Sequence, residues 1–321
     1  MIGIKGLKIR NDNTISSPSR IDSVWDGLKL TAHRPPTADD MCGIHIALSM
    51  NDASFYSRHL FLVEGYGQIA RHEAGFRAEH ARIVAYIHAG DEIPNAVNEN
   101  NIPVVRPTQI PEFIPELRIE DGRLADPLGL VFVEDRKEIR VEDENVLILC
   151  RADRVRVTRS SRIAIHAGAE VDTIWVKDGG KVSIFGNIDG AFIGSKLIET
   201  EDAEINELHL GFERYGPIGA NIRHSRIEDM TIHGCSGRTI LNIRSCEIGK
   251  LAISHGYVEK LALDLTDVEW LHLEGVAIKD LHGRSSKIGT IFALGSTVQN
   301  RRMRDTRIRE IDHHEGDGIW Y

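Results

Sequence analysis

The chain has 321 residues and a net charge of −9, with 41% hydrophobic and 27% charged residues. This composition is typical of folded globular proteins, excludes a wholly disordered chain, and disfavours a general nucleic-acid binder, which needs a basic surface. The length favours about two domains. The four cysteines fit neither a zinc-ligand spacing nor a disulfide framework, and we expect buried free thiols at Cys42, Cys150, Cys235 and Cys246.

The first 37 residues alternate short apolar pieces, such as Ile2 with Ile4 and Leu7 with Ile9, with turn residues, which predicts an arm of short strands. Neither this segment nor the rest of the chain contains the apolar run of a signal peptide or the roughly 20 apolar residues of a membrane span. We therefore expect a chain made in the cytoplasm, without a cleavable signal or a membrane span. Joining a virion or a cell surface would need a route without such a signal.

Residues 38–90 are predicted to be largely helical, beginning near Thr37, a capping residue followed by acids in the first turn. The clearest helical segment is 68–88, which ends just before Gly90, a residue type that often ends helices. Its apolar face recurs at intervals of three and four residues: Ile69, His72, Phe76, His80, Ile83, Val84 and Ile87. We predict that residues 1–90 form an N-terminal arm and a small α/β attachment region.

Residues 91–127 contain six of the ten prolines of the chain, several of them four residues apart. Proline at this spacing disfavours a helix and favours extended backbone. We therefore predict that residues 91–127 are a proline-rich extended linker lying along a neighbouring surface.

From Leu128 to the end, short β-branched runs such as NVLIL, RVRV and RIAI alternate with turn residues, and no helical pattern interrupts them. This pattern excludes a doubly wound α/β fold. Written in tens, the tail shows apolar residues at the third, sixth and eighth positions of successive units. Examples are Ile248, Leu251 and Ile253; Val258, Leu261 and Leu263; and Val268, Leu271 and Leu273. The first position of a unit is usually small or hydroxylated: Ser225, Cys246, Thr266, Ser286 and Ser296 are examples.

The interval between every second unit predicts stacked coils. Ile205 and Ile227 are 22 residues apart, Ile227 and Ile248 are 21 apart, and Ile248, Val268 and Ile288 follow at intervals of 20. A coil of about 20–22 residues places like residues above one another, so neighbouring coils pair as parallel strands about 4.8 Å apart. We predict that residues 128–321 form a mainly β, right-handed parallel β-helix.

The repeat weakens at its C-terminal end, where Gly283, Arg301 and His313 stand at positions that are apolar in other units. A solenoid needs a polar or covered last coil, because an open ladder pairs with other chains. We expect the final residues or a partner to cover this end.

The coil length and short strands of residues 128–321 resemble right-handed parallel β-helix proteins, such as the pectate-lyase-like group and phage tail spikes. That resemblance implies a homo-oligomer, commonly a trimer, in a larger assembly. Residues 266–270 also resemble a pentapeptide repeat, which would stack four units per coil. Leucines such as Leu251 and Leu271 are large for the narrow interior of that second family, so the ordinary β-helix is the preferred interpretation.

The candidate catalytic residues are Asp267 and Glu269, two outward carboxylates of one coil, since glycoside cleavage needs two carboxylates about 5–10 Å apart. No recognisable catalytic motif accompanies them, so catalysis stays open. His72 and His80 are eight residues apart, whereas a zincin helix needs four, and we expect neither a metal site nor a cofactor.

The candidate binding residues are of two kinds. Trp270 and Tyr257 are aromatic residues on the predicted coils and suit stacking on sugar rings, and Trp175 is a further outward or corner candidate. Five arginines lie within nine residues near the end of the repeat and suit an anionic glycan, a nucleic acid or an acidic partner: Arg301, Arg302, Arg304, Arg307 and Arg309. Packing at corners and salt bridges to nearby acids are the alternative interpretations.

Three functions remain open on the sequence alone. The preferred one is a structural and binding solenoid, a virion-associated or surface component that docks by its N-terminal region, displays a rigid rod and contacts other subunits. The second is a polysaccharide hydrolase or lyase. The third is an acidic pentapeptide-like rod that mimics DNA or forms filaments.

Overall fold

The structure is a computed structural model that describes residues 1–10, 12–17, 28–32, 35–36, 43–54, 57, 59–72, 75–90, 93–160, 162–211, 218–235 and 238–313. The protein is mainly β, with 69% strand and 6% helix, and forms a β-solenoid of about 11 turns with a small N-terminal region. In the described ranges, no helix is both long enough and apolar enough to cross a bilayer.

The chain divides into two compact units that interleave along the sequence. The first unit comprises Met1–Asp135, Asn145–Arg151 and Ala164–Ala169, and the second comprises Arg136–Glu144, Ala152–Ile163 and Glu170–Tyr321. The domain boundaries that the sequence predicts after residues 90 and 127 remain predictions.

Among the described residues up to 135, the elements are two helices, a 3-10 helix and short or medium strands. In chain order they are β1 (Ile2–Ile9), β2 (Ile15–Ser16), β3 (Lys29–Thr31), β4 (Ile44–Ala47), α1 (Met50–Ser54), β5 (His59–His72), β6 (Gly75–Ile87), α2 (Asn95–Glu99), β7 (Val104–Val105), the 3-10 helix (Pro107–Glu112), β8 (Ile119–Glu120), β9 (Arg123–Asp126) and β10 (Gly129–Phe132).

The elements from residue 136 onward are all strands in the part that the structure describes. They are β11 (Arg136–Glu142), β12 (Val146–Ile148), β13 (Ala152–Thr158), β14 (Arg162–Ile165), β15 (Glu170–Ile184), β16 (Asn187–Glu201), β17 (Glu204–Leu210), β18 (Gly219–Arg223), β19 (Arg226–His233), β20 (Thr239–Arg244), β21 (Glu247–Asp264), β22 (Asp267–Arg284), β23 (Lys287–Leu294), β24 (Thr297–Arg304) and β25 (Arg307–His313).

The first unit is built on a sheet in which β1 pairs antiparallel with β4 and β5, and β6 pairs antiparallel with β3, β4 and β5. The predicted N-terminal strand is confirmed by β1, whose Ile4 and Leu7 are fully buried. Apolar clusters pack on the sheet, one around Leu60, Leu62 and Ile87 and one around Phe61 and Phe76.

The prediction of a helix over 68–88 is wrong, because this segment forms the end of β5 and the whole of β6. Two features of the sheet obscure the two-residue period of a strand. Residues on both faces of β6 are buried, as at Ile83, Ala85 and Tyr86, so polar positions do not alternate with apolar ones. The β5–β6 register also shifts between Tyr66 and Ile69, which breaks the period. The helix start predicted near Thr37 and the thiol at Cys42 lie outside the described residues.

Extended backbone was predicted across 91–127, and this is wrong at α2 and at the 3-10 helix. Pro107 occupies the first turn of the 3-10 helix, where a missing N–H costs no hydrogen bond. The Arg106 N–H donates to the Gln109 Oε1 at 2.8 Å and closes that turn. Ile110, Ile114 and Leu117 are buried with the first unit's core, so the segment contributes to packing.

The second unit is a stack of parallel strands in two sheets. The first sheet contains β11, β13, β17, β19, β23, β25 and the first halves of β15, β16, β21 and β22. The second sheet contains the second halves of β15, β16, β21 and β22 with β18, β20 and β24. The predicted parallel β-solenoid is therefore confirmed.

The predicted apolar columns point into the dry interior of this stack. Leu251, Leu271 and Ile291 are register partners in the first sheet and are fully buried. Leu261 and Leu281 are register partners in the second sheet and are also fully buried. One coil therefore consists of two ten-residue units, one on each sheet, which explains why the 20-residue interval stacks.

One corner of each coil combines a left-handed residue with a buried side chain that satisfies the turn. Ser245, Leu265 and Ser285 have φ values of 54°, 53° and 49°. The side chain that follows each of them donates to the carbonyl two residues before itself: Cys246 Sγ at 3.1 Å, Thr266 Oγ1 at 3.0 Å and Ser286 Oγ at 3.1 Å. The small or hydroxylated side chain at the first position of the repeat thus stabilises the corner of the coil by a hydrogen bond to the backbone.

Candidate functional site

The two predicted catalytic residues lie in one open groove on the first solenoid sheet. The groove has a volume of about 500 Å³, and its charged lining residues are Arg226, Glu228, Glu247, Asp267, Glu269 and Lys287. Glu247 and Asp267 are register partners on adjacent strands. Asp267 and Glu269 are both exposed at the start of β22. The structure therefore brings the predicted pair together, beside Glu228 and Glu247 of the preceding coils, as the coil interval predicts.

Basic residues and one glycine shape the same groove. Lys287 Nζ donates to Asp267 Oδ2 at 3.0 Å, which compensates part of the negative charge. Gly249 stands where a Cβ would lie 2.6 Å from the Glu228 carbonyl oxygen, so only glycine fits this position without a shift. The groove is thus a mixed-charge surface rather than a purely acidic one.

The two predicted aromatic binding residues lie on different sheets. Trp270, on the first sheet, is 39% exposed and stacks on Phe292 with a centroid distance of 5.6 Å and an interplanar angle of 13°. Tyr257 is half-buried on the second sheet, next to Ala277 in register. Of the two, Trp270 offers the larger accessible apolar surface, and they do not form a shared platform.

A second aromatic stack follows the outer side of earlier coils. Trp175 stacks on Phe192 at 5.8 Å, Phe192 stacks on His209 at 4.7 Å, and the Arg156 guanidinium carbon lies 5.3 Å from the centroid of Trp175. These four residues are successive register partners. Of these residues only Trp175 was predicted to be an outward or corner aromatic. The stack itself was missed, although Trp175, Phe192 and His209 recur at intervals of 17 residues.

The predicted binding arginines lie on the last strands of the solenoid. Arg301, Arg302 and Arg304 are exposed on β24, and Arg307 and Arg309 are exposed on β25. The parallel register places Arg304 beside Arg284 and Arg307 beside Lys287. We call these four residues, Arg284, Lys287, Arg304 and Arg307, the basic corner. Arg284 and Lys287 were missed, although the 20-residue coil length connects them to Arg304 and Arg307.

The acids near the basic corner are concentrated on the preceding coil. Asp264 Oδ1 lies 3.9 Å from Arg284 Nε, and Asp267 Oδ2 lies 3.0 Å from Lys287 Nζ. On the last coil Arg304 Nε lies 3.7 Å from Asp305 Oδ2. Within the described ranges, Arg307 has no acidic group within 4 Å. The positive charge is therefore least compensated at the end of the described stack.

The described cysteines are not part of these surfaces. Cys150, Cys235 and Cys246 are buried thiols, which confirms the prediction for these three. Burial raises the pKa of Cys235 to about 11 and raises the pKa of Cys246 as well. Among the residues that the structure describes, no group of three or more His, Cys, Asp or Glu is placed to hold a metal ion.

Comparison of the chain with protein-family models, with curated proteins and with solved structures found no match.

Proposed function

We propose that this chain is a structural and binding β-solenoid that uses its basic corner to hold an acidic partner in a larger assembly. The observation that supports the proposal is the ordered pairing of cations, Arg284 with Arg304 and Lys287 with Arg307, on strands about 4.8 Å apart. The buried columns below these residues fix the spacing of their backbones, so binding has to order only the exposed side chains.

The partner that we propose is a linear carboxylated polysaccharide. Arginine forks bind carboxylates with two parallel hydrogen bonds, and a polymer with a carboxylate on successive sugar units presents acceptors along a line. The net charge of −9 works against long duplex nucleic acid, because most of the chain would repel it. Trp270, two coils before the last described coil of the first sheet, adds an exposed ring for sugar stacking.

The assembly that we propose is a virion, with the chain in a tail, baseplate or spike. The support is the resemblance of residues 128–321 to tail-spike β-helices, which also implies a homotrimer. The native mass of the purified full chain tests this part. A trimer or a larger defined particle supports it, and a monomer at every concentration overturns it.

Affinity electrophoresis of the full chain through gels with polygalacturonate tests the binding proposal. We expect retardation by polygalacturonate, none by neutral dextran, and loss of retardation in high salt. Arg304→Gln with Arg307→Gln should abolish most of the retardation. The matched control is Arg223→Gln with Arg226→Gln, which removes two arginines at the same corner positions of an earlier coil. Equal retardation of both double variants would contradict the proposal.

A second candidate function is polysaccharide cleavage, which the groove around Asp267 and Glu269 favours. Glu247 and Asp267 are neighbours across two strands, a separation compatible with the carboxylate pairs of glycosidases. A reducing-sugar assay on bacterial polysaccharides tests this function. If the wild-type chain releases reducing ends and the Asp267→Asn and Glu269→Gln variants do not, polysaccharide cleavage is supported. If both variants still release reducing ends, these two residues are not catalytic.

A further inference from the structure

Basic side chains from four strands of the first unit meet at one place in its sheet. Lys5 of β1 donates from Nζ to the His45 carbonyl oxygen of β4 at 2.6 Å. The His45 ring stacks on the His72 ring of β5, with centroids 4.9 Å apart and an interplanar angle of 17°. Arg77 of β6 is the register partner of His45. We call Lys5, His45, His72 and Arg77 the basic cluster.

The members of the basic cluster disfavour each other's protonated forms. Desolvation, followed by the charge of Arg77, lowers the pKa of Lys5 to about 8. Desolvation, then the charges of Lys5, His72 and Arg77, lowers the pKa of His45 to about 4. Desolvation and Arg77 also lower the pKa of His72, while Asp52 of α1 opposes that shift. A place where burial and like charges shift several groups together is a candidate binding site.

We propose that the basic cluster is a binding site for a small oxyanion, the chemistry shared by a phosphate group and a carboxylate. Lys5 and Arg77 supply charged N–H donors, and His45 and His72 supply ring nitrogens. Lys5 and His45 are half-buried and His72 is exposed, so the cluster is partly desolvated and partly accessible to solvent.

The bound anion reverses the electrostatic balance of the cluster. Without it, protonation of His45 adds a positive charge beside Lys5 and Arg77, which is unfavourable in a desolvated place. With it, protonation is stabilised by an opposite charge. Affinity and protonation are therefore linked, and each tenfold gain in affinity on protonation corresponds to one pKa unit. The site is distinct from the basic corner and goes beyond the proposed solenoid function.

Histidine ring NMR on the full chain tests the proposal, with titrations in phosphate, in acetate and in chloride at the same ionic strength. The charged groups described around the rings are Lys5, Asp52 and Arg77. We expect saturating phosphate or acetate to raise the pKa of His45 from about 4 and to raise the pKa of His72. The anion that causes the larger pKa shift shows whether the site prefers a phosphate group or a carboxylate. If the pKa of His45 and the pKa of His72 each stayed the same in all three salts, the proposal would be overturned.

Two variants connect any anion effect to the cluster. His72→Gln removes an exposed ring at the end of β5 and should weaken phosphate binding at pH 6 at least severalfold while the fold is kept. His233→Gln removes an exposed ring at the end of β19 and is the matched control, with unchanged affinity. Lys5→Met should weaken binding further, and circular dichroism checks that its sheet is intact. Unchanged affinity in both folded His72→Gln and Lys5→Met proteins would also overturn the proposal.

Discussion

Arg301 lies beside Leu281 in the register of the second solenoid sheet, at a position that is aliphatic in the preceding coils. Leu241, Leu261 and Leu281 are fully buried in that column, whereas Arg301 is exposed. A charge at the inward position of a terminal coil interrupts the apolar surface on which a further strand would pack. This is a common protection of sheet edges against association.

Replacement of this charge is expected to promote self-association. Arg301→Leu extends the aliphatic column onto the last described strand of the second sheet, β24, and should shift the full chain towards larger species in sedimentation velocity. Arg302→Leu is the control, because Arg302 is exposed on the same strand, next to His282 in the adjacent register column. Association by both variants to the same degree would show that added hydrophobicity, and not the inward column, is responsible.

The solenoid could be predicted from the sequence because its period is set by local geometry. Ile248, Val268 and Ile288 recur at the coil length, and the same interval leads from Arg304 back to Arg284 and from Arg307 back to Lys287. The predicted arginine site was therefore incomplete only because that interval was not applied to the arginines.

The first unit could not be predicted to the same extent. Its basic cluster joins Lys5, His45, His72 and Arg77 from four strands, and their meeting depends on antiparallel register and not on a repeat. The register shift between Tyr66 and Ile69 of β5 adds an irregularity that no local pattern reveals. The three- and four-residue spacing of apolar residues there indicated a helix, because burial on both faces of a strand removes the two-residue signal.

The corner hydroxyl of Ser286 is expected to contribute measurably to stability. Its Oγ lies 3.0 Å from the Leu263 oxygen and 3.1 Å from the Arg284 oxygen, and it accepts the Thr266 N–H at 3.1 Å. Ser286→Ala leaves these buried groups without that partner, so the free energy of unfolding should fall by about 1–3 kcal/mol in urea titrations.

The conservative variant at this corner separates the hydrogen bond from packing. Thr266 occupies the equivalent position one coil earlier and makes the same bond to the carbonyl two residues before it. Ser286→Thr should therefore lose less stability than Ser286→Ala. The opposite order would mean that space, and not hydrogen bonding, selects the residue at this position.

We expect that position 249 in the groove has no room for a side chain larger than that of glycine. An added Cβ would lie 2.6 Å from the Glu228 carbonyl oxygen, which is backbone and cannot rotate away. Gly249→Ala should lower the free energy of unfolding by about 1–3 kcal/mol, the usual cost of overpacking. Gly190→Ala is the control on the same sheet, because its Cβ would meet its nearest neighbour, the Phe192 side chain, at an ordinary 3.4 Å. Equal losses for both would indicate a general cost of side chains in these strands.

The thiol of Cys235 is expected to be unreactive in the folded chain at pH 8. Burial raises its pKa from 9.0 to about 11, and the thiolate is the species that reacts with iodoacetamide. Peptide mapping after labelling should therefore show slow modification of Cys235 in buffer and fast modification in urea. Rapid labelling of Cys235 in the native protein would contradict its burial.

The same pKa difference makes the free energy of unfolding depend on pH above about 9. Because the unfolded thiol ionises near pH 9 and the folded one near pH 11, the unfolded state loses its proton first. The stabilisation from the raised pKa of Cys235 is fully present below pH 9 and is lost as the pH rises from about 9 to about 11. The free energy of unfolding of the wild-type chain should fall more steeply over this interval than that of Cys235→Ala. Parallel curves for the two proteins would show that the thiol ionises equally well in both states.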